Sequence, residues 1–197
     1  MYEHLESKET YREFYEQQGK QGYSNQHITE DWARIKPHIP YYKDAIVFEA
    51  GLQGGGVTKI IAKYAKEVLS CDVSDSYLLK AKEYLKDCDN VILRRGFAEN
   101  ILGEFEDKFD VVVLGEILEH VQDDKLLIEK AIKALNFDGV ILVSVPYHLA
   151  DPLGEHVRNY EQEDLIRLFH SFEEVDSCRF ELISPWIIGE VFIKKEV

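Results

Sequence analysis

Five side chains stand out by type and position. Three are acids that close apolar runs: Glu49 in AIVFEA, Asp72 in EVLSCD and Glu116 in FDVVVLGE. Two are histidines, His120 in GEILEH and His156 in DPLGEHVRNY. Carboxylates attract cations and accept hydrogen bonds from diols, and an imidazole exchanges a proton near neutral pH. As a helix, the stretch from Gly115 would put Glu116 and His120 four apart on one face, with Glu119 adjacent. Glu116, Glu119, His120 and His156 could then ligate a divalent cation such as Mg²⁺, Mn²⁺ or Zn²⁺. The plainer expectation is a site without metal. His156 and His120 are then the candidates for proton transfer, with a packing or capping role as the alternative for His120.

The first acid precedes a glycine cluster, VFEAGLQGGGVT. A phosphate loop has this GxxxxG spacing but needs lysine next, and Val57 stands there. A dinucleotide turn, GxGxxG, needs glycine where Gln53 stands, and Glu49 would repel a pyrophosphate. A positively charged ligand fits better. Asp72 follows the turn by about twenty residues, the spacing of a ribose-binding acid. Glu49 and Glu116 suit cationic groups. A ligand carrying an ammonium, a sulfonium and a ribose meets the whole set, and S-adenosylmethionine is such a ligand. The competing reading is a solvated acidic rim near helix N-termini.

These residues need elements that bring them to one edge. Apolar runs at 45–50, 67–72, 91–93, 109–114 and 139–145 read as strands. Helices are expected over 56–66, 75–86 with Ser74 as N-cap, 123–135 and 161–170, with β-rich stretches near 172–182 and 186–195. Near-continuous apolar strands alternating with helices predict a parallel sheet covered on both faces, with ligands beyond the C-terminal strand ends.

Taken in order, these segments resemble the class I S-adenosylmethionine-dependent methyltransferases from about Ala45 to Phe180. VFEAGLQGGGVT is similar to that family's first motif, VLSCDVSDSYLLKAKEYL to its second strand and helix, and GFAENI to its adenine-lining segment. FDVVVLGEILEHV and FDGVILVSVPY are similar to its fourth and fifth strands. Gln53 and Phe97 depart from the family's usual glycine and aspartate.

The resemblance implies a Rossmann-like doubly wound α/β sheet of seven strands, the last antiparallel, with helices on both faces. It implies a single domain over 1–197, an N-terminal helical lid over 1–40 and a core over 41–197. Glu49 would lie near the methionine ammonium, and Gly51 and Gly55 would let the backbone approach the cofactor. Gln53 would narrow the turn or bond the cofactor carboxylate. Asp72, with Val73 beside it, would hold the ribose. Phe97 and Ala98 would border the adenine, and Gly115 and Glu116 the methionine portion. Tyr23 would close over the cofactor or anchor the lid. Tyr11, Phe14 and Tyr15 are expected in the core. EILEH with a distant histidine also resembles metal-dependent RNA 2′-O-methyltransferases and ubiquinone-pathway O-methyltransferases.

The whole chain narrows the acceptor. Its formal net charge is -14 over 197 residues, and no Lys/Arg run offsets it, which argues against a nucleic-acid partner. Three scattered cysteines and a charged N-terminal stretch predict a reducing, cytoplasmic setting without a leader, and no apolar run is long enough to span a bilayer. The expected activity is methyl transfer to oxygen, or next nitrogen, of a small molecule. The alternatives are an RNA-end or protein methyltransferase, with or without a metal, and a non-catalytic module of the same fold acting through a partner.

Overall fold

The computed structural model describes residues 8–21, 32, 34–147 and 156–195. Helix α1 (Lys8–Gln21) comes first, followed by a short 3-10 turn (Lys36–His38) and α2 (Ile39–Tyr42). The core then runs β1 (Ile46–Ala50), α3 (Gly56–Ala62), β2 (Glu67–Asp72), α4 (Asp75–Tyr84), β3 (Val91–Arg95) and α5 (Ala98–Leu102). It continues with β4 (Phe109–Gly115), α6 (Asp124–Ala134), β5 (Leu135–Pro146), α7 (Gln162–Phe169), β6 (Val175–Ile183) and β7 (Trp186–Ile193). The strands form a seven-stranded sheet in the order β3-β2-β1-β4-β5-β7-β6. β7 runs antiparallel to both of its neighbours, and the other pairings are parallel. The sheet is therefore the expected Rossmann-like one, with its reversed last strand.

Period-two alternation explains how the sheet is covered. On one face, Phe48 and Ala50 of β1 pack with Val112, Leu114, Ile141 and Val143 beneath α5, α6 and α7. On the other, Val47 packs with Val111, Val113, Val140 and Leu142 beneath α3 and the segment around Tyr42. Ser74 caps α4 as expected, its hydroxyl accepting from the Tyr77 N–H. α3 stops at Ala62, short of the expected 66, and β5 starts at Leu135 rather than near 139.

Connections leave β1 and β4 in opposite directions along the sheet, so the strand order reverses between them. A crevice forms at such a switch point, beyond the C-terminal strand ends. The acids of β2 and of the turn after β4 are carried to it.

Candidate functional site

A cleft of about 970 Å³, open mouth included, occupies the switch point. The ends of β1 to β4 contribute. Gly51 and Gln53 come from the β1 turn, and Asp72 and Val73 from the end of β2. Phe97 and Ala98 follow β3, and Glu116 and His120 follow β4. All eight are residues that the sequence analysis singled out.

The turn after β1 needs unusual backbone. Gly51 and Gly55 lie at φ +76° and +83°, in the left-handed region. Gln53 also lies there, at φ 47°, where a side chain is strained. Its backbone N–H donates to Asp72 Oδ2 at 3.0 Å, while the Ser74 N–H donates to Oδ1 at 2.9 Å. These bonds fix the carboxylate at the cleft wall, where it is only 7% exposed. Burial pushes its pKa up to about 6, against the pull of those N–H donors, and the nearby Glu16 charge adds to the rise. A buried acceptor of this kind still has lone pairs for a diol. The residues present thus fit a ribose.

Other expected residues sit elsewhere. Glu49 is buried away from the cleft wall. Alternation turns it toward α3, where its carboxylate accepts from Thr58 Oγ1 at 2.6 Å and Ser70 Oγ at 2.5 Å. Gly55 is behind the wall, and a Cβ there would meet Leu85 at 2.9 Å. Gly115 is not on the wall either. A Cβ there would lie 2.6 Å from a guanidinium nitrogen of Arg34, which also donates to Ser144 Oγ at 2.7 Å. Tyr23 is outside the described residues.

The stretch after β4 is a turn, not a helix. Glu116 adopts φ 53°, and its N–H donates to the Ser144 carbonyl at 2.9 Å, so the chain leaves β4 without starting a helix. The expected four-residue pairing of Glu116 with His120 therefore does not hold, although both line the cleft. The turn instead groups Glu119, His120 and His156, whose ligating atoms all lie within 4.8 Å of one another. Glu116 is not in that group. The His120 and His156 rings meet edge to face, with centroids 4.9 Å apart. Two imidazoles and a buried carboxylate are a donor set that a divalent cation can accept.

Helix α1 adds residues to the wall that the sequence analysis did not place there: Lys8, Tyr11 and Tyr15. Tyr11 packs near Phe97 at 6.0 Å and Tyr15 against His120 at 5.8 Å between ring centroids. Lys8 pairs with Glu99 at 2.6 Å. The signal was their spacing, three and then four apart on one helical face. Nothing in the sequence marked Arg34.

A family model described as a methyltransferase domain matches residues 48–152. The chain belongs to that family. The cofactor of the methyltransferase is S-adenosylmethionine. Its curated relatives include the ubiquinone biosynthesis O-methyltransferases of Azorhizobium caulinodans, 26% identical over 119 residues, and Bartonella quintana, 27% over 103. Those matches take in 60% and 52% of this chain, and 45% and 42% of the relatives. The chain thus spans less than half the length of either relative. Among solved structures, the DhpI–SAH complex superposes at TM-score 0.75 with 16% identity, over 100% of both chains. Haemonchus contortus phosphoethanolamine N-methyltransferase 1, solved with phosphoethanolamine and S-adenosylhomocysteine, gives TM-score 0.75 and 18% identity over 97% of this chain and 50% of its own. These two likenesses are likenesses of fold. Among the described residues, no helix is long and apolar enough to cross a membrane.

Proposed function

We propose that this methyltransferase transfers a methyl group from S-adenosylmethionine to an oxygen, or next a nitrogen, of a small-molecule acceptor. One observation carries the reading: the cleft is lined by a buried ribose-type acid, Asp72, and by His120, whose ring packs against His156 just off the cleft wall. The names of the curated relatives favour oxygen as the acceptor atom.

When bound, the cofactor supplies a methyl group already activated on its sulfonium. The protein's part is then to bind, align and handle a proton. Asp72 accepts hydrogen bonds from the ribose, and the tight turn at Gly51 lets the backbone lie close to the ligand. Phe97 and Ala98 border the adenine, Phe97 offering a ring face, and Tyr11 packs beside that ring. Val73 and Gln53 complete the wall beside Asp72. The His156–His120 pair, with His120 on the wall, takes the proton of an acceptor hydroxyl. Tyr15 and Lys8 screen the cleft from water on the α1 side.

The grouping of Glu119, His120 and His156 favours a second reading of the same reaction. A divalent cation held by these three would lower the pKa of the acceptor hydroxyl, in place of a histidine base.

Calorimetry with S-adenosylmethionine and S-adenosylhomocysteine, with NAD as control, tests the cofactor site. Both sulfur nucleosides should bind and NAD should not. Asp72→Ala should weaken binding by about 10-fold or more, as for a lost hydrogen bond to a charged group. Transfer is then assayed on phenols, catechols, amines, capped RNA and peptides. His156→Ala should lower transfer more than nucleoside binding, and equal loss of both would remove it from the proton-handling role. Loss of transfer in EDTA, restored by Mg²⁺ or Zn²⁺, would select the cation reading. Turnover only on RNA or peptide would sink the small-molecule reading.

A further inference from the structure

The turn after β4 leaves backbone carbonyls without helical partners, and one side chain collects them. Arg158 Nη1 donates to the Leu118 carbonyl at 2.9 Å and the Val121 carbonyl at 2.5 Å, and Nη2 donates to the Gln122 carbonyl at 2.7 Å. Its Nε lies 3.7 Å from Asp124 Oδ2, which Tyr160 also reaches through its hydroxyl at 2.7 Å. The Val157 N–H adds a bond to the Glu119 carbonyl at 2.8 Å. Every acceptor belongs to the turn that carries Glu119 and His120 or to the start of α6. The two residues that donate to these carbonyls, Val157 through its N–H and Arg158 through its guanidinium, lie within two residues of His156.

We infer that Arg158 is a positioning residue, a clasp that fastens the segment after β5 to the turn after β4 and so sets His156 against His120. The inference rests on the methyl-transfer reading only for its effect on turnover. The fork geometry is the reason for arginine. A planar guanidinium reaches several fixed carbonyls at once, whereas a lysine ammonium is a single point donor on a flexible stem. Positive charge alone therefore does not restore the register. Arg158 does not itself line the cleft, although its partners Val121 and Gln122 do, so its loss removes no group that faces the nucleoside.

The test compares Arg158→Ala, Arg158→Lys and the unaltered chain without cofactor, in EDTA. The rate of histidine carbethoxylation by diethyl pyrocarbonate is mapped by mass spectrometry. His170, exposed at the end of α7, is the internal control. In Arg158→Ala, His156 should react about five-fold faster or more, with His170 unchanged, as expected for a lost hydrogen-bonding anchor. Arg158→Lys should fall between the two, which keeps the inference testable if the alanine variant folds poorly. Millimolar guanidinium should slow the His156 reaction in Arg158→Ala. In turnover, kcat should fall by a larger factor than the KM for S-adenosylmethionine rises, since Arg158 reaches the cleft only through the carbonyls of Val121 and Gln122. An equal rise at His156 and His170 would mean general loosening and would overturn the inference. So would an unchanged His156 rate, or a lysine variant indistinguishable from arginine. The footprint needs no activity, so failure of the methyl-transfer reading would leave the clasp separately tested.

Discussion

Asp72→Asn should make the unliganded protein more stable near neutral pH while weakening its hold on the cofactor. The carboxylate is 7% exposed, and its pKa rises from an ordinary 3.8 to about 6, because burial outweighs the backbone donors of Ser74, Gln53 and Val73 that favour its charge. That gap amounts to about 3 kcal/mol held against the folded state once the group is ionised. The unfolded chain releases this proton first. The strain is absent below about pH 3.8, grows as pH rises toward 6, and is complete above it. Asparagine removes the buried charge but not without loss. Gln53 and Ser74 direct N–H groups at both oxygens, and an amide can accept at only one of them. One bond lost costs about 1 kcal/mol, which leaves a net gain of about 1–2 kcal/mol at neutral pH. Below about pH 4 the gain should become a loss of about 1 kcal/mol. Urea unfolding of both proteins across this range, read by circular dichroism, measures the difference. A variant less stable by about 1 kcal/mol or more at neutral pH would refute the reasoning. The backbone donors would then be winning over burial. Calorimetry with S-adenosylhomocysteine on the same samples supplies the second half. Undiminished affinity would take Asp72 out of the site, whatever the stability result.

Two further outcomes follow from the geometry. Gln53→Gly should stabilise the fold by up to about 1 kcal/mol, since φ 47° strains a side chain and the bond to Asp72 is made by backbone. A loss in the urea midpoint would mean that the Gln53 side chain makes a stabilising contact. Glu16 of α1 accepts from Ser76 Oγ at 2.6 Å, Ser74 Oγ at 2.9 Å and the Ser76 N–H at 3.1 Å. Chiefly the Ser76 hydroxyl holds its carboxyl down at about 2. Because the folded-state value is depressed, this contribution is present above the ordinary 4.5 and is lost as pH falls toward 2. The carboxylate is 27% exposed, so the latch contributes only about 1 kcal/mol. Glu16→Ala should speed tryptic cleavage of α1 at Arg12 and Lys20 by about five-fold at neutral pH, with the sheet uncut. An unchanged rate would show that the aromatic contacts hold α1 unaided.

The order of elements and the place of the cleft were legible in the sequence, because both arise from local patterns. Apolar runs such as FDVVVL, short and rich in β-branched valine, read as buried strands. The glycine turn, followed at the right distance by Asp72, belongs to a single strand–turn–helix–strand unit. Once the strands are parallel, their C-terminal ends share one edge, and Gly51, Gln53, Asp72, Val73, Phe97, Ala98, Glu116 and His120 meet there. The facing of each side chain depended on tertiary structure. Glu49 reads like the acids beside it, yet hydroxyls from α3 and β2 draw it into the packed layer beneath α3. EILEH has helical spacing, but a left-handed Glu116 makes it a turn, and of the four expected ligands Glu116 is left out while Glu119, His120 and His156 come together. Arg34 meets Ser144 across 110 residues and Arg158 meets Leu118 across 40, pairings that no local pattern encodes. A strand or helix is chosen by neighbours a few residues away, and a site by groups that only the closed chain brings within bonding distance.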